Sequence, residues 1–199
     1  DCFIETYEAD VAFHYRFCVD ELEVLPEYKL NKWYWDMEWM QGGEYDGCIT
    51  CISVYDSYRD VCEVLWWSPN KIEVEGHNKH FNSERGMLHY FLNMIEDDDP
   101  DMLISWFGWK FDLPKLIQRL VANDIDARDL SPFQQLTGVS WSSKTSKVNL
   151  NDKVVSNYSP ISQPIKGRIC VPLDLAFERQ WNDSQRGTLP SMALDYVAE

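Results

Sequence analysis

Two carboxylates, Asp36 and Glu38, interrupt an otherwise apolar and aromatic run, Trp33-Tyr34-Trp35-Asp36-Met37-Glu38-Trp39-Met40. The run has the composition of a β-strand, in which residues i and i+2 share a face. Both acids therefore project together, roughly 6.5–7 Å apart along the strand, while Trp35, Met37 and Trp39 face the other way. Two acids on one side of a buried strand need a neutralising partner. A divalent cation, or a pair of ions about 3.5–4 Å apart, suits two such oxygens. An edge strand that shows its acids to water satisfies the same pattern. Spacing alone leaves both readings open.

Other residue types that could do chemistry have plainer roles. Asp112, in Phe111-Asp112-Leu113-Pro114, stands where a helix N-cap belongs, a role that stabilises by about 1 kcal/mol. Cys48-x-x-Cys51 has half the spacing of a zinc site. It lies in a strand-like run where i and i+3 face opposite sides, and no second pair follows, so core cysteines are expected. His77-Asn78-Lys79-His80 holds the only paired histidines; Lys79 and the polar context predict an exposed turn. Glu96-Asp97-Asp98-Asp99-Pro100 reads as a solvated loop that ends a helix.

The elements that must position these residues follow from periodicity. Strand-like runs at 33–40, 47–55 and 61–67 are separated by short turn signals, which predicts an antiparallel meander. Ser83 caps a helix to about Glu96, with Met87, Leu88, Phe91, Leu92, Met94 and Ile95 as its apolar stripe. A short buried-type strand, Met102–Trp106, leads through Gly108 to a helix opening at Phe111-Asp112, with Pro114 in its first turn. Leu113, Leu116, Ile117, Leu120 and Val121 recur at helical spacing. Beyond Asn123 the chain is polar and irregular, with a β-ribbon expected around Lys147–Val155. A final strand, 167–174, is marked as an edge or an early end by Pro172; a helix over 175–182 and another from Ser191 follow. This order predicts an α/β fold: one mixed sheet, three antiparallel strands and then β-α-β units, flanked by helices. In such sheets, sites gather at strand ends where the order reverses.

Bulk properties bound the function. The 199 residues are 45% hydrophobic and carry a formal charge of −15. That charge argues against tight binding of nucleic acid by phosphate neutralisation alone and fits a metal-dependent site better. No apolar run approaches a membrane span, and no signal peptide opens the chain. Six scattered cysteines point to thiols in a reducing, intracellular compartment rather than to secretion. Without an initiator Met, the chain reads as an excised fragment. Pro26 and the polar 27–32 stretch divide it into a lead-in segment, 1–32, and a domain, 33–199.

The stretches WYWDMEWM, DPDMLISWFGWKFDLPKL and GRICVPLDLAFERQW…LPSMALDYVAE resemble, in order, the 3′–5′ proofreading exonuclease domain of family B DNA polymerases. The opening TYEADVAFHYRFCVD is similar to the segment leading into that domain in archaeal and viral members. The resemblance implies a ribonuclease H-like fold and hydrolysis of the 3′-terminal phosphodiester of single-stranded DNA. It makes Asp36, Glu38 and Asp112 the catalytic, metal-holding acids of the first two motifs, for two Mg²⁺ or Mn²⁺ ions. It sets Phe107, Trp109 and Phe111 beside the substrate, Phe107 replacing the Asn usual in the family. The implied partners are a single-stranded 3′ end and the remaining polymerase domains. The family's third motif, Tyr-x-x-x-Asp, would lie beyond Glu199, which leaves the domain C-terminally incomplete and its activity weak. A stand-alone ribonuclease H-like nuclease and a silent DNA-positioning module are the alternatives.

Overall fold

The computed structural model describes residues 13–22, 24, 27–69, 78–137, 139–142, 147–150, 163–183, 187 and 189–198. Its centre is a six-stranded mixed sheet in the order β4-β3-β2-β1-β5-β8. The strands are β1 (Lys32–Trp39), β2 (Ile49–Asp56), β3 (Val61–Trp67), β4 (Asn78–Phe81), β5 (Met102–Ser105) and β8 (Ile169–Pro172). β6 (Val139–Ser142) and β7 (Lys147–Leu150) form a separate antiparallel ribbon. The helices are α1 (Phe13–Glu21), α2 (Glu84–Asp98), α3 (Leu113–Ala122), α4 (Leu173–Asp183) and α5 (Leu194–Ala198). The expected meander is present: β1 pairs antiparallel with β2, and β2 with β3. β5 then lies parallel to β1, and β8 parallel to β5. This is the α/β mixed-sheet architecture that the sequence resemblance implies.

The alternation in β1 separates core from surface. Trp33, Trp35 and Met37 are buried, and Tyr34, Asp36 and Glu38 are exposed. Trp33 and Trp35 meet Phe91 of α2 with ring centroids 6.4 and 6.0 Å apart. Leu88 and Ile95 of α2 join Leu116, Ile117 and Leu120 of α3 in the same buried cluster. Each such side chain contributes about 1.5–3 kcal/mol when fully buried, and that burial holds β1 flat against both helices.

Helix ends follow local chemistry. The Ser83 hydroxyl accepts from the Gly86 amide at 3.1 Å, as its cap position predicts. Asp99, at φ 40°, stops α2. The acidic run is the last turn of this helix and not a free loop. Acids there oppose the helix dipole, and arginines answer them: Arg59 donates to Asp98 at 2.6 Å, and Arg168 pairs with Asp99 at 2.8 Å. Buried Arg168 also donates to the carbonyls of Leu130 and Pro100 at 3.0 and 2.7 Å.

Two expectations need correction. His80 belongs to strand β4, which pairs parallel with β3, rather than to an exposed turn. Its ring packs on Trp66 with centroids 4.4 Å apart, a tertiary contact invisible to polarity counting; His77 lies outside the described residues. The ribbon begins earlier than expected, at Val139, and the part of its expected range beyond Leu150 also lies outside them. Pro172 ends the edge strand β8, as anticipated.

Candidate active site at the strand ends

The strand order reverses between β1 and β5: β2, β3 and β4 extend the sheet to one side of β1, and the chain returns through α2 to add β5 and β8 on the other. β1 pairs with β2 along nearly its whole length, but with β5 only through Lys32, Trp33 and Tyr34. Residues 35–39 therefore stand clear of β5 and open a crevice at the carboxyl ends of the parallel strands, where open α/β sheets bind ligands. A groove of about 240 Å³ lies here, lined by Tyr34, Asp36, Ser53, Tyr55, Trp106 and Leu173 among others. Asp36 faces it, opposite Ser53; Glu38 stands opposite Cys51. The register shifts between Glu38 and Trp39, and bulges of this kind re-aim side chains beside active sites.

Asp112 comes within electrostatic reach of Asp36 by a different route. After β5 the chain makes one π-helical turn, Gly108–Asp112, before α3 begins. The Leu113 amide donates to the Gly108 carbonyl, closing the wide turn; such turns recur at functional sites. Asp112 already has helical angles, φ −63° and ψ −54°, and its side chain makes no capping hydrogen bond. The capping role is thereby excluded, and the carboxylate points elsewhere.

That carboxylate is 5% exposed. Burial pushes its pKa up to about 6; a hydrogen bond from Ser105 opposes the rise, and the nearby charges of Asp36 and Asp174 add to it. Its second oxygen, Oδ2, is buried without a hydrogen-bond partner, a state that costs about 1–3 kcal/mol. Glu38 acts on a different neighbour. With Asp36 it raises the pKa of the Cys51 thiol, after the larger effect of burial. Asp36 is thus felt at both Asp112 and Cys51, and Glu38 at Cys51. Among the described residues no group of three His, Cys, Asp or Glu side chains is arranged to hold a metal ion.

Asp174, which sequence reasoning passed over, is the second carboxylate near Asp112. It opens α4, is 1% exposed, and accepts from Lys110 Nζ at 3.0 Å. Its amide donates to the Trp106 carbonyl at 2.9 Å, tying the loop after β5 to the end of β8. An acid two residues after an edge strand's terminal proline was the available signal. Cys48 and Cys51 belong to no group of three metal-ligating side chains among the described residues, and Arg119 donates to Cys48 Sγ at 3.1 Å.

The three aromatics expected beside the substrate part company. Phe111 is 52% exposed and packs on Trp39 with ring centroids 5.1 Å apart; Lys115 Nζ lies 5.6 Å from the Trp39 ring centre. Phe107 is half-buried against Trp106. Trp109 turns inward: it is 7% exposed, and its indole N–H donates to the Cys170 carbonyl at 3.1 Å, so it is a core residue and not a surface for a base.

The carboxylate oxygens of Asp36 and Asp112 are hard donors of the kind Mg²⁺ and Mn²⁺ prefer. The buried, partnerless Oδ2 gives such an ion a reason to be there, so the residues present fit a divalent cation. Residues 48–175 match the model of the DNA polymerase family B exonuclease domain, a span that includes Asp112 and Asp174 and is more than half of the chain. The chain belongs to the family B DNA polymerase exonuclease domains. The matched span begins after β1 and so does not include Asp36 and Glu38. A DNA polymerase of Pyrococcus glycovorans is 31% identical over 121 residues, which is 58% of this chain and 15% of that protein. DNA polymerases of Thermococcus aggregans and Thermococcus litoralis are 31% and 30% identical over the same length, covering 6% and 7% of those proteins. The matched part of this exonuclease-domain chain therefore spans a small fraction of these relatives.

Proposed function

We propose that this chain removes nucleotides from the 3′ end of single-stranded DNA as the proofreading unit of a family B polymerase, with Asp36, Glu38 and Asp112 holding Mg²⁺ or Mn²⁺. The observation that carries the reading is the partnerless Oδ2 of buried Asp112 beside Asp36. When bound, a divalent pair supplies an ionised water at neutral pH and offsets charge on the departing 3′ oxygen. The chain's own residues do the rest. Asp36 and Glu38 project from the outer face of β1, and Asp112 offers Oδ2 from the π-turn. Phe111, backed by Trp39, presents an open ring on which a terminal base can stack, worth about 1–3 kcal/mol, and Lys115 offers a positive charge beside it.

The −15 charge gives the cation a second task, because phosphates otherwise meet an acidic surface. In this reading 1–32 leads into the exonuclease domain, 33–199, and the partners are the polymerase domains of the parent chain. The five described cysteines are all free, which agrees with a reducing compartment. No described helix is long and apolar enough to cross a membrane. A silent module that only positions DNA is the second reading. It draws on the lack of a three-acid ion cage among the described residues.

Digestion of a 5′-labelled single-stranded oligonucleotide with Mn²⁺ separates the two. Asp36→Ala with Glu38→Ala is expected to abolish the digestion seen with the unaltered chain. Undiminished digestion refutes the assignment, and no digestion by the unaltered chain favours the silent module.

A further inference from the structure

The π-turn and α3 carry three cations, Lys110, Lys115 and Arg119, and two of them are matched. Lys110 Nζ lies 3.0 Å from Asp174, and Arg119 grips Glu84 at 2.5 Å. Lys115 belongs to no ion pair among the described residues. Acids are close in sequence to the loop it faces, yet Asp46 is spent inside that loop, where its Oδ1 accepts from the Gly42 amide at 2.6 Å. Half-buried Lys115 instead holds its ammonium 5.6 Å from the Trp39 ring centre. The loop closes beside it: the Gly47 amide donates to the Met40 carbonyl, and the Met40 amide to the Cys48 carbonyl, both at 2.9 Å. A β-carbon on Gly47, at φ 77°, would stand 3.2 Å from Lys115 Nζ, so bare backbone is what lets the ammonium settle there. On the other side of Trp39 lies Phe111, 52% exposed, with ring centroids 5.1 Å apart. One indole is thus flanked by an open ring and an unmatched positive charge, in a chain of charge −15. Proteins that hold single strands combine the same two things, an aromatic face for a base and a cation for the backbone.

We infer that Lys115 is a phosphate-binding residue: it neutralises the phosphodiester that adjoins the base stacked on Phe111, and Trp39, packed against both, sets the spacing of the two contacts. The inference rests on the proposal above that a single strand lies along this site, and deepens it by naming the group of the strand that is held. Lys110 and Arg119 are already committed to Asp174 and Glu84, which leaves Lys115 to meet the backbone. The acidic surface around it repels the other phosphates, so this one contact fixes the register of the strand. Phosphate contacts position a strand without reading its sequence, and Lys115 therefore serves every 3′ end alike.

The test measures binding rather than cleavage. Fluorescence anisotropy in Mn²⁺ follows a 5′-labelled single-stranded oligonucleotide whose terminal linkage is a phosphorothioate, which keeps the charge and resists hydrolysis. The unaltered chain, Lys115→Gln and Lys115→Arg are compared, and melting curves confirm that all three fold. A second set of oligonucleotides carries a neutral methylphosphonate at each linkage near the 3′ end in turn. Lys115→Gln is expected to weaken binding of the charged strand about 10-fold, and Lys115→Arg to recover most of it. At one linkage the methylphosphonate should weaken the unaltered chain by a similar factor and leave Lys115→Gln no weaker, the non-additivity of groups in contact. At the other linkages the two changes should add. Lys115→Gln binding like the unaltered chain overturns the inference. Additivity at every linkage also overturns it, because general charge is then the cause, and so does equal weakening by Gln and Arg, because packing is then the cause. A strand that the unaltered chain fails to bind overturns the inference and the single-strand reading together. Non-additivity alongside failure to digest an unprotected strand keeps the phosphate contact and removes the nuclease reading.

Discussion

At the scale of the residue, the site is governed by Asp112, whose carboxylate folding leaves incomplete. Asp112 is an acid whose pKa in the folded, metal-free chain is raised to about 6, above the ordinary carboxylate value. A raised acid favours the folded state while protonated, and that contribution is lost as pH climbs through the folded value. Metal-free protein is therefore expected to lose stability between about pH 4 and pH 7, by up to about 3 kcal/mol. Asp112→Asn should flatten the loss, and saturating Mn²⁺ should reverse it in the unaltered chain alone. Melting temperatures across pH 4–8 check this; equal slopes for the two proteins contradict it. Phe111 makes a separate prediction. With its open ring gone, Phe111→Ala should raise KM for a single-stranded oligonucleotide about 5- to 100-fold, by the stacking range above, with kcat little changed. Steady-state kinetics with oligonucleotides of fixed length decide it.

At the scale of the element, the acids are held by a strand, a turn and a helix that are locked together elsewhere. Glu84, buried at the start of α2, accepts from the Ile49 amide of β2 at 2.7 Å, from Arg119 Nε of α3 at 2.8 Å and from Asn123 at 2.9 Å. Burial pushes its pKa up, but those hydrogen bonds outweigh it and leave it below the ordinary value. A lowered acid stabilises the fold above its unfolded pKa, and the contribution fades as pH falls towards the folded one. Glu84→Gln removes the charge that half-buried Arg119 pairs with and is expected to cost about 1.5–3 kcal/mol near neutral pH. Chemical denaturation at pH 7 measures it, and the difference from the unaltered chain should shrink below about pH 4. β1 and α3 were legible in sequence because period two and period 3.6 are local signals: Trp33, Trp35 and Met37 against Tyr34, Asp36 and Glu38, and Leu113, Leu116, Ile117 and Leu120 down one stripe. The π-turn was not. It depends on Trp109 docking on Cys170, Gly108 yielding to Ser105 and Asp174 gripping Lys110, three contacts across 61, 3 and 64 residues of chain. For the same reason Asp112 looked like a cap, and the short strand β4 looked like a loop.

At the scale of the whole molecule, the proposed function has a strongly acidic chain present its groove to a polyanion. Its affinity for single-stranded DNA should therefore be very weak in chelator and rise with Mn²⁺. Added monovalent salt should reduce the repulsion and so fail to weaken chelator-state binding, unlike a basic groove, whose binding falls steeply with salt. Fluorescence anisotropy of a labelled oligonucleotide, with and without divalent ions, reads both trends. The architecture itself, a meander followed by parallel additions on the other side of β1, was visible in the order of strand and helix signals. The pairing that creates the crevice was not, because β1 separating from β5 after Tyr34 is a property of two strands 70 residues apart.

The central claim is that Asp36 and Asp112, brought together only by folding, share one cation. Paramagnetic broadening of backbone amide resonances during a Mn²⁺ titration tests it most directly. Amides around Asp36 and those around Asp112 should fade together, along a single binding curve, and both effects should vanish in Asp112→Asn. Broadening confined to β1, or two curves with unrelated midpoints, would contradict a shared ion.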